Sequence, residues 1–296
     1  MPHNRVVFSD VHYDKLLVGG NDILACAEQA ISTAIKYAGT GPVFILGDLI
    51  NKKNMQTDTL ARFNHYIQKH KGKPGDPVFV VGGNHELTPN GNSVLDLVSW
   101  PDNFITVTKK PFCFHDPVIG DIFLVPYLHS EYEETIKKLP KQSIVMSHVL
   151  VDGASGRIRL SSDISMDIFK KFKLVVLGDV HKYQRMGNIV YCGNMIQTSY
   201  SDVGNKQGFL VLDDKANVSR KHLNLPELEP LLADDKADVA ERMDSILNAE
   251  IPVTASLSQT EAMQVVKDYI DSLKSSVGER YYKMFFEANH ANSSRS

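Results

Sequence analysis

An α/β layered fold is predicted for this chain of 296 residues by three observations. Short apolar runs that read as strands alternate with stretches of helical period, those strands end in loops carrying Gly, Asp, Asn and His, and the pattern becomes β-rich past the middle of the chain. Hydrophobic residues at 43% and charged residues at 23% are ordinary for a globular protein with a substantial core.

Val6 to Phe8 is the first strand signal and stops at Ser9-Asp10. From Asn21 to Tyr37, Ile23, Leu24, Ala27, Ile31, Ala34 and Ile35 recur at helical spacing, and Gly39 follows as a stop. Val43 to Leu46 is the next strand and ends at Gly47-Asp48; Thr57 to His70 is helical; Val78 to Val81 runs into Gly82-Gly83-Asn84-His85. Strands are then expected at Phe104 to Val107, Ile122 to Val125, Ile144 to Ser147 and Leu174 to Leu177, with a short helix at Glu131 to Leu139. Ile189 to Cys192, Phe209 to Leu212 and Val218 to His222 read as a final antiparallel set. Beyond Leu225-Pro226-Glu227, Leu231 to Ala249 and Ser258 to Lys274 are polar helical stretches, so a boundary is placed near residue 222.

The net charge of -3 gives no global attraction to a polyanion, and any nucleic-acid contact must come from local Lys and Arg clusters or from a partner. The opening MPHNRVVFSD has no apolar run of signal-peptide length, and no stretch approaches membrane-spanning length. Cys26, Cys113 and Cys192 are far apart and in no metal-binding spacing; reduced thiols and a cytoplasmic location are expected.

Five motifs at predicted strand ends carry the chemistry: Asp10-Val11-His12, Gly47-Asp48, Gly83-Asn84-His85-Glu86, Ser147-His148 and Gly178-Asp179-Val180-His181. Each puts one or two metal-capable side chains just beyond a strand's carboxyl end, where α/β sheets build their sites. Carboxylate, imidazole and amide oxygen together suit Mn²⁺, Fe²⁺ or Zn²⁺ better than Ca²⁺, and two such ions can clamp a phosphate and acidify a water for in-line attack. A lone Asp-Xaa-His or Gly-Asp is more often a turn, and His148 alone would read as a satisfied histidine at a strand end; the ordered set of five promotes them all. His3, His115, His129, His222 and His290 lie outside the motifs and read as ordinary histidines.

These residues resemble the calcineurin-like metallophosphoesterase pattern DxH, GDxx(N/D/H), GNH(D/E), a lone His, then GHxH, over roughly residues 5 to 185 and in family order. The resemblance implies a four-layer α/β/β/α metallophosphoesterase sandwich over 1–222, with 223–296 as a short capping or partner-binding helical region. It implies that Asp10, His12 and His181 hold one metal, that Asp48 bridges two, and that Asn84 and His148 hold the second. His85 is then not a ligand but faces the scissile phosphate as a general acid or a stabiliser of developing charge. Asp179 stands where the family has the first His of GHxH; as a ligand it adds negative charge and shifts preference toward Mn²⁺ or Mg²⁺. Asn51 stands where SbcD-type nucleases often carry a His.

The run His181-Lys182-Tyr183-Gln184, then Asn188 to Asn194, then Lys206-Gln207-Gly208-Phe209, is similar to SbcD-type DNA nuclease subunits, which read approximately GHIHKPQ…YxGS…KG. Tyr183 replaces Pro and Asn194 replaces Ser. That resemblance implies a Mn²⁺-dependent (or Mg²⁺-dependent) deoxyribonuclease of DNA repair or recombination, a homodimer formed near the second and third motifs, and a coiled-coil ATPase partner of the SbcC type. Phage and bacterial members both fit such a compact chain. Lys52, Lys53, Lys182 and Arg185 lie near the motifs and could track phosphates. Two other readings stay open: a small-molecule or cyclic-nucleotide phosphodiesterase, and a weakly active scaffold for an ATPase.

Overall fold

The structure, a computed structural model, describes residues 3–14, 23–51, 55–71, 77–87, 92–128, 131–155, 162 and 164–227. By its contacts the chain divides into Met1–Leu228 and Glu229–Ser296. The second unit, with the helical stretches expected at 231–249 and 258–274, lies outside the described residues.

Strand β1 (Arg5–Phe8) shows how alternation builds the layers. Val7 faces one apolar core while Val6 and Phe8 face another. Strand β2 (Val43–Leu46) does the same, with Phe44 and Leu46 on Val7's side and Val43 and Ile45 opposite. Both faces are covered, which is why these strands read as continuous apolar runs and pair in parallel. Strands β3 (Val78–Val81) and β4 (Phe104–Val107) extend the parallel set.

The outer face of this sheet is covered by α1 (Ile23–Ala38) and α2 (Thr57–Gln68). In α1, Ile23, Ala27, Ala30, Ile31, Ala34, Ile35 and Ala38 form the buried stripe, and four alanines in it let the helix lie close to the strands.

The second sheet begins with β5 (Phe112–Asp116), β6 (Gly120–Val125), β7 (Ile144–His148) and β8 (Leu174–Gly178). Short strands β9 (Gln184–Met186) and β10 (Ile189–Tyr191) complete it in the order β5-β6-β7-β8-β10-β9. The first sheet, completed by β11 (Gly208–Leu212) and β12 (Val218–His222), runs β12-β11-β1-β2-β3-β4. Between the sheets lies a core that includes Phe44, Phe79, Leu124, Met146, Val176 and Val190. Behind the second sheet, α3 (Tyr132–Lys138) packs with Phe169 and Phe172 against Val145, Val175 and Tyr191. The result is the expected α/β/β/α sandwich.

One placement differs from the sequence reading. Ile189 to Cys192 does not join β11 and β12; as β10 it pairs in parallel with β8 in the other sheet. Its residues are buried on both faces, Val190 toward the inter-sheet core and Ile189 and Tyr191 toward α3, the environment of a parallel interior strand. Strand β5 was not expected; it is an edge strand that shows most of its side chains to solvent.

A buried ion pair ties the two sheets together. Arg5 of β1 donates through Nε to Asp116 Oδ2 at 2.6 Å and through a terminal nitrogen to Oδ1 at 2.8 Å, with both side chains 1% exposed. Asp116 Oδ1 also accepts from Val118 N at 2.9 Å and Ile119 N at 3.0 Å, fixing the β5–β6 turn. Burial alone would raise the Asp116 pKa, but Arg5 and these amides outweigh it and hold the carboxyl below its ordinary value.

Asp116→Ala leaves a buried guanidinium with only the exposed Asp214 as partner and is expected to cost about 3–5 kcal/mol in urea unfolding. Asp214→Ala, removing the exposed second partner of Arg5, should cost under about 1 kcal/mol. Because the folded Asp116 pKa is depressed, its contribution is complete above the unfolded carboxylate value near 4. It is lost as pH falls through the lower folded value, so the gap between wild type and Asp116→Ala should narrow only in acid.

Candidate metal centre

The loops leaving β1 and β2 are joined main chain to main chain. Asp10 N donates to Gly47 O at 3.2 Å, Val11 N and His12 N both donate to Asp48 O at 2.9 Å, and Tyr13 N donates to Leu49 O at 2.9 Å. To make these bonds the chain takes up left-handed backbone at Asp10 (φ 55), His12 (φ 49) and Asp48 (φ 50), and Asp179 has φ 88. Only Gln142 and Ala216 share that region among the described non-glycine residues. Such positions cost roughly 1–3 kcal/mol each and persist where the surroundings fix them. Here they turn neighbouring side chains into one space.

The loop after β3 is held by Glu86, which is fully buried. Its carboxylate accepts from Leu49 N at 2.8 Å and Ile50 N at 3.1 Å, and from Gly83 N at 2.6 Å. Burial pushes Glu86 up to about 7, with the Asp48 charge adding to the rise. Gly83 has to be glycine: a Cβ there would collide with the Asp48 carboxylate.

The side chains converge accordingly. His12 Nε2 and His181 Nε2 face each other at 3.2 Å, and His181 Nε2 lies 3.8 Å from Asp10 Oδ1. His148 Nε2 is 3.1 Å from Asn84 Oδ1, 3.4 Å from Asp48 Oδ1 and 3.6 Å from Asp179 Oδ1. Asp48 Oδ2 lies 3.8 Å from His12 Nε2. Three groups have ligand atoms within 4.8 Å of one another: Asp10, His12 and His181; Asp10, Asp48 and His148; and His12, Asp48 and His85. All seven sequence-predicted ligands are therefore brought together, with Asp48 between the His12 and His148 sides. Asp179 stands against His148, on the side where its motif position would place it.

Orientation comes from behind the ligands. His148 Nδ1 donates to Leu46 O at 2.8 Å, directing Nε2 inward. His181 Nδ1 is 2.7 Å from Asp202 Oδ1, and the other Asp202 oxygen accepts from Thr198 N at 2.9 Å and Ser199 N at 3.0 Å. This carboxylate–imidazole pair is the usual support of a metal-binding histidine. Ser9 Oγ donates to Asp10 Oδ2 at 2.5 Å. Asp202, Glu86 and Ser9 were not assigned roles from sequence. Glu86 was legible as the last position of its motif, whereas a lone Asp202 in a turn offers no signal.

His85 sits at the rim with its side chain 44% exposed. Its main-chain N donates to Asp48 Oδ1 at 3.2 Å and its Nδ1 to Asn51 O at 3.0 Å, while Nε2 lies 3.8 Å from Asp48 Oδ2. Asn51 thus acts through its carbonyl rather than its side chain, and its own N–H is held by the Asp14 carboxylate. Lys182 and Arg185 are exposed; Lys52 and Lys53 lie outside the described residues.

Burying so many charged groups shifts them strongly. Burial raises Asp10 to about 6, although His148 and His181 pull it down. Burial also pushes Asp48 upward, but His148, His12 and His85 outweigh it and leave it well below the ordinary range. Burial lowers His148, yet Asp48 and Asp179 raise it well above its usual value. His181 likewise rises to about 9, through Asp202 and Asp10. Nε2 of His148 thus faces two carboxylates and an amide oxygen, and Nε2 of His181 faces Asp10, which is where a cation would be held. The donor set fits divalent ions of the Mn²⁺, Fe²⁺ or Zn²⁺ kind.

A four-layer sandwich with this centre at the carboxyl ends of its strands defines a metal-dependent hydrolase. Residues 4–184 match the family model for calcineurin-like phosphoesterases, and the chain belongs to that family. It is 27% identical over 189 residues, 57% of its length, to the uncharacterized protein R555 of Acanthamoeba polyphaga mimivirus, and the match spans 14% of that protein. Among solved structures it is similar to the Pseudomonas putida nuclease MPE, at 13% identity over 73% of this chain and 87% of that one, with a TM-score of 0.35. No helix among the described residues is long and apolar enough to cross a membrane.

Two outcomes are expected. Asp202→Ala frees the His181 ring and should weaken divalent-metal affinity by about 10–100-fold in calorimetric titration, with the fold retained. Since the neighbouring carboxylates raise His148 and His181 above the ordinary imidazole value, a metal must displace protons to bind there; affinity should rise with pH toward about 9, the value of His181, and heats should vary with buffer ionisation enthalpy.

Proposed function

We propose that the protein is a two-metal nuclease that hydrolyses phosphodiester bonds of DNA, of the SbcD type. The observation that carries the phosphoesterase chemistry is the convergence of Asp10, His12, Asp48, Asn84, His148, Asp179 and His181 from separate loops, with His85 alone exposed at the rim. The nuclease reading is supported by the SbcD-like run from His181 through Phe209.

In this reading Asp10, His12 and His181 hold one ion and Asn84, His148 and Asp179 the other, with Asp48 shared. Mn²⁺ is the preferred ion, because the carboxylate of Asp179 in place of an imidazole favours oxygen-loving metals. When bound, the ions supply Lewis-acid polarisation of the phosphate and a water that loses its proton readily. The protein's own part begins with His85. The Nδ1–H of His85 donates to Asn51 O, which leaves Nε2 as the nitrogen for incoming substrate. A protonated Nε2 gives its proton to the leaving oxygen or hydrogen-bonds the charge that builds on phosphate. In this reading the exposed Lys182 and Arg185, one and four residues beyond His181, guide the strand. The same reading includes a homodimer and an SbcC-type ATPase partner that binds through 223–296. A monomeric mass by light scattering, and no co-elution with such an ATPase, would remove these two elements and leave the chemistry intact.

The test is Mn²⁺-dependent cleavage of linear duplex and single-stranded DNA, with and without chelator, beside a small phosphodiester. Turnover of the small substrate with no DNA cleavage, alone or with the ATPase, would favour a small-molecule phosphodiesterase instead. His85→Ala should lower the rate by about 10²–10⁴ while keeping both metal equivalents. Asp48→Ala should lose bound metal as well as activity. Full activity in His85→Ala would overturn its assigned role.

A further inference from the structure

Tyr183 is one of four exposed large apolar side chains among the described residues, with Leu97, Phe112 and Val118, and the one that follows a site residue within two positions. It is 39% exposed. Beneath it lies Arg220 of β12, its guanidinium carbon 4.8 Å from the ring centroid. That guanidinium is fixed: it donates to Cys192 O at 2.8 Å and to Lys206 O. It has no carboxylate partner among the described residues, so its charge is turned to the ring. Gly193 makes the stack possible, because a Cβ there would lie 2.6 Å from the guanidinium and 2.6 Å from Tyr183 N.

We infer that Tyr183, backed by Arg220, is a stacking platform for an unpaired nucleobase of the strand whose phosphate lies at the metal centre. This rests on the nuclease reading and deepens it: the substrate is single-stranded nucleic acid or a frayed end. An aromatic face flanked by cations is the physical requirement for gripping single strands without sequence preference. The cations are present, since Lys182 and Arg185, one residue before Tyr183 and two residues after it in sequence, are exposed and form no ion pair among the described residues. Two residues of chain reach at most about 7 Å, so the Cα of Tyr183 lies within a nucleotide's span of the Cα of His181. SbcD-type sequences have proline at this position, so the platform belongs to this chain.

The test is fluorescence anisotropy of a phosphorothioate-linked oligothymidylate in saturating Mn²⁺, beside an abasic oligomer of the same length. Tyr183→Ala and Tyr183→Leu should weaken binding of the base-bearing strand roughly 5- to 150-fold, while Tyr183→Phe should stay within about twofold of wild type. The abasic strand should bind wild type and Tyr183→Ala alike, and the salt dependence should be the same in both because no phosphate contact is removed. Equal binding of the base-bearing strand by wild type and Tyr183→Ala, or no binding at all, would overturn the inference. Failure of the nuclease reading shows separately, as absence of Mn²⁺-dependent cleavage of ordinary DNA.

Discussion

Asp48 is the point on which the rest of the site depends. Its main-chain carbonyl takes the N–H groups of Val11 and His12, and its carboxylate lies within 3.8 Å of ring nitrogens of His12, His85 and His148. One residue therefore joins the loops after β1, β2, β3 and β7. A carboxylate this deeply buried is costly unless it is paired, and three imidazoles arriving from three loops are the pairing. The same contacts that make the site acidic and basic at once also set the conformations of the loops that form it.

That arrangement spends stability on geometry. Four site residues sit in left-handed backbone, and Glu86 is buried with a strongly raised pKa merely to hold three amides in place. None of this strain serves packing. The scaffold can carry it because the two sheets are each covered on both faces and joined at their other edge by the buried Arg5–Asp116 pair. Rigid strands let irregular loops keep unfavourable dihedrals, which is the condition for holding ligands in place before any ion arrives.

Much of this was legible in the sequence, for identifiable reasons. Strands β1, β2, β3, β7 and β8 are buried on both faces and so appear as unbroken apolar runs ending at polar loops. The metal-capable residues follow those ends directly, and their order is a pattern that independent turns do not reproduce. What stayed hidden depends on pairing rather than on local sequence. The sheet to which β10 belongs is decided by its partner β8, and β5 is an edge strand mostly exposed to solvent. Asp202 acts on His181 across 21 positions with no motif to announce it, and Asn51 works through a backbone carbonyl that any residue would supply.

In the proposed nuclease reading, the charge balance accounts for how a chain of net charge -3 would receive a polyanion. Asp10, Asp48 and Asp179 are three carboxylates in one small volume, and without cations the field there opposes an incoming phosphate. Two divalent ions would bring four positive charges against these three, leaving a small surplus. A histidine at position 179 would leave a larger one. Asp179 thus makes the attraction of the centre more modest and places more of the work of binding on contacts beyond it. In the same reading Lys182, Arg185 and the Tyr183–Arg220 stack would supply those contacts. Affinity for a strand would then rest on its bases and flanking phosphates as well as on the bond to be cut.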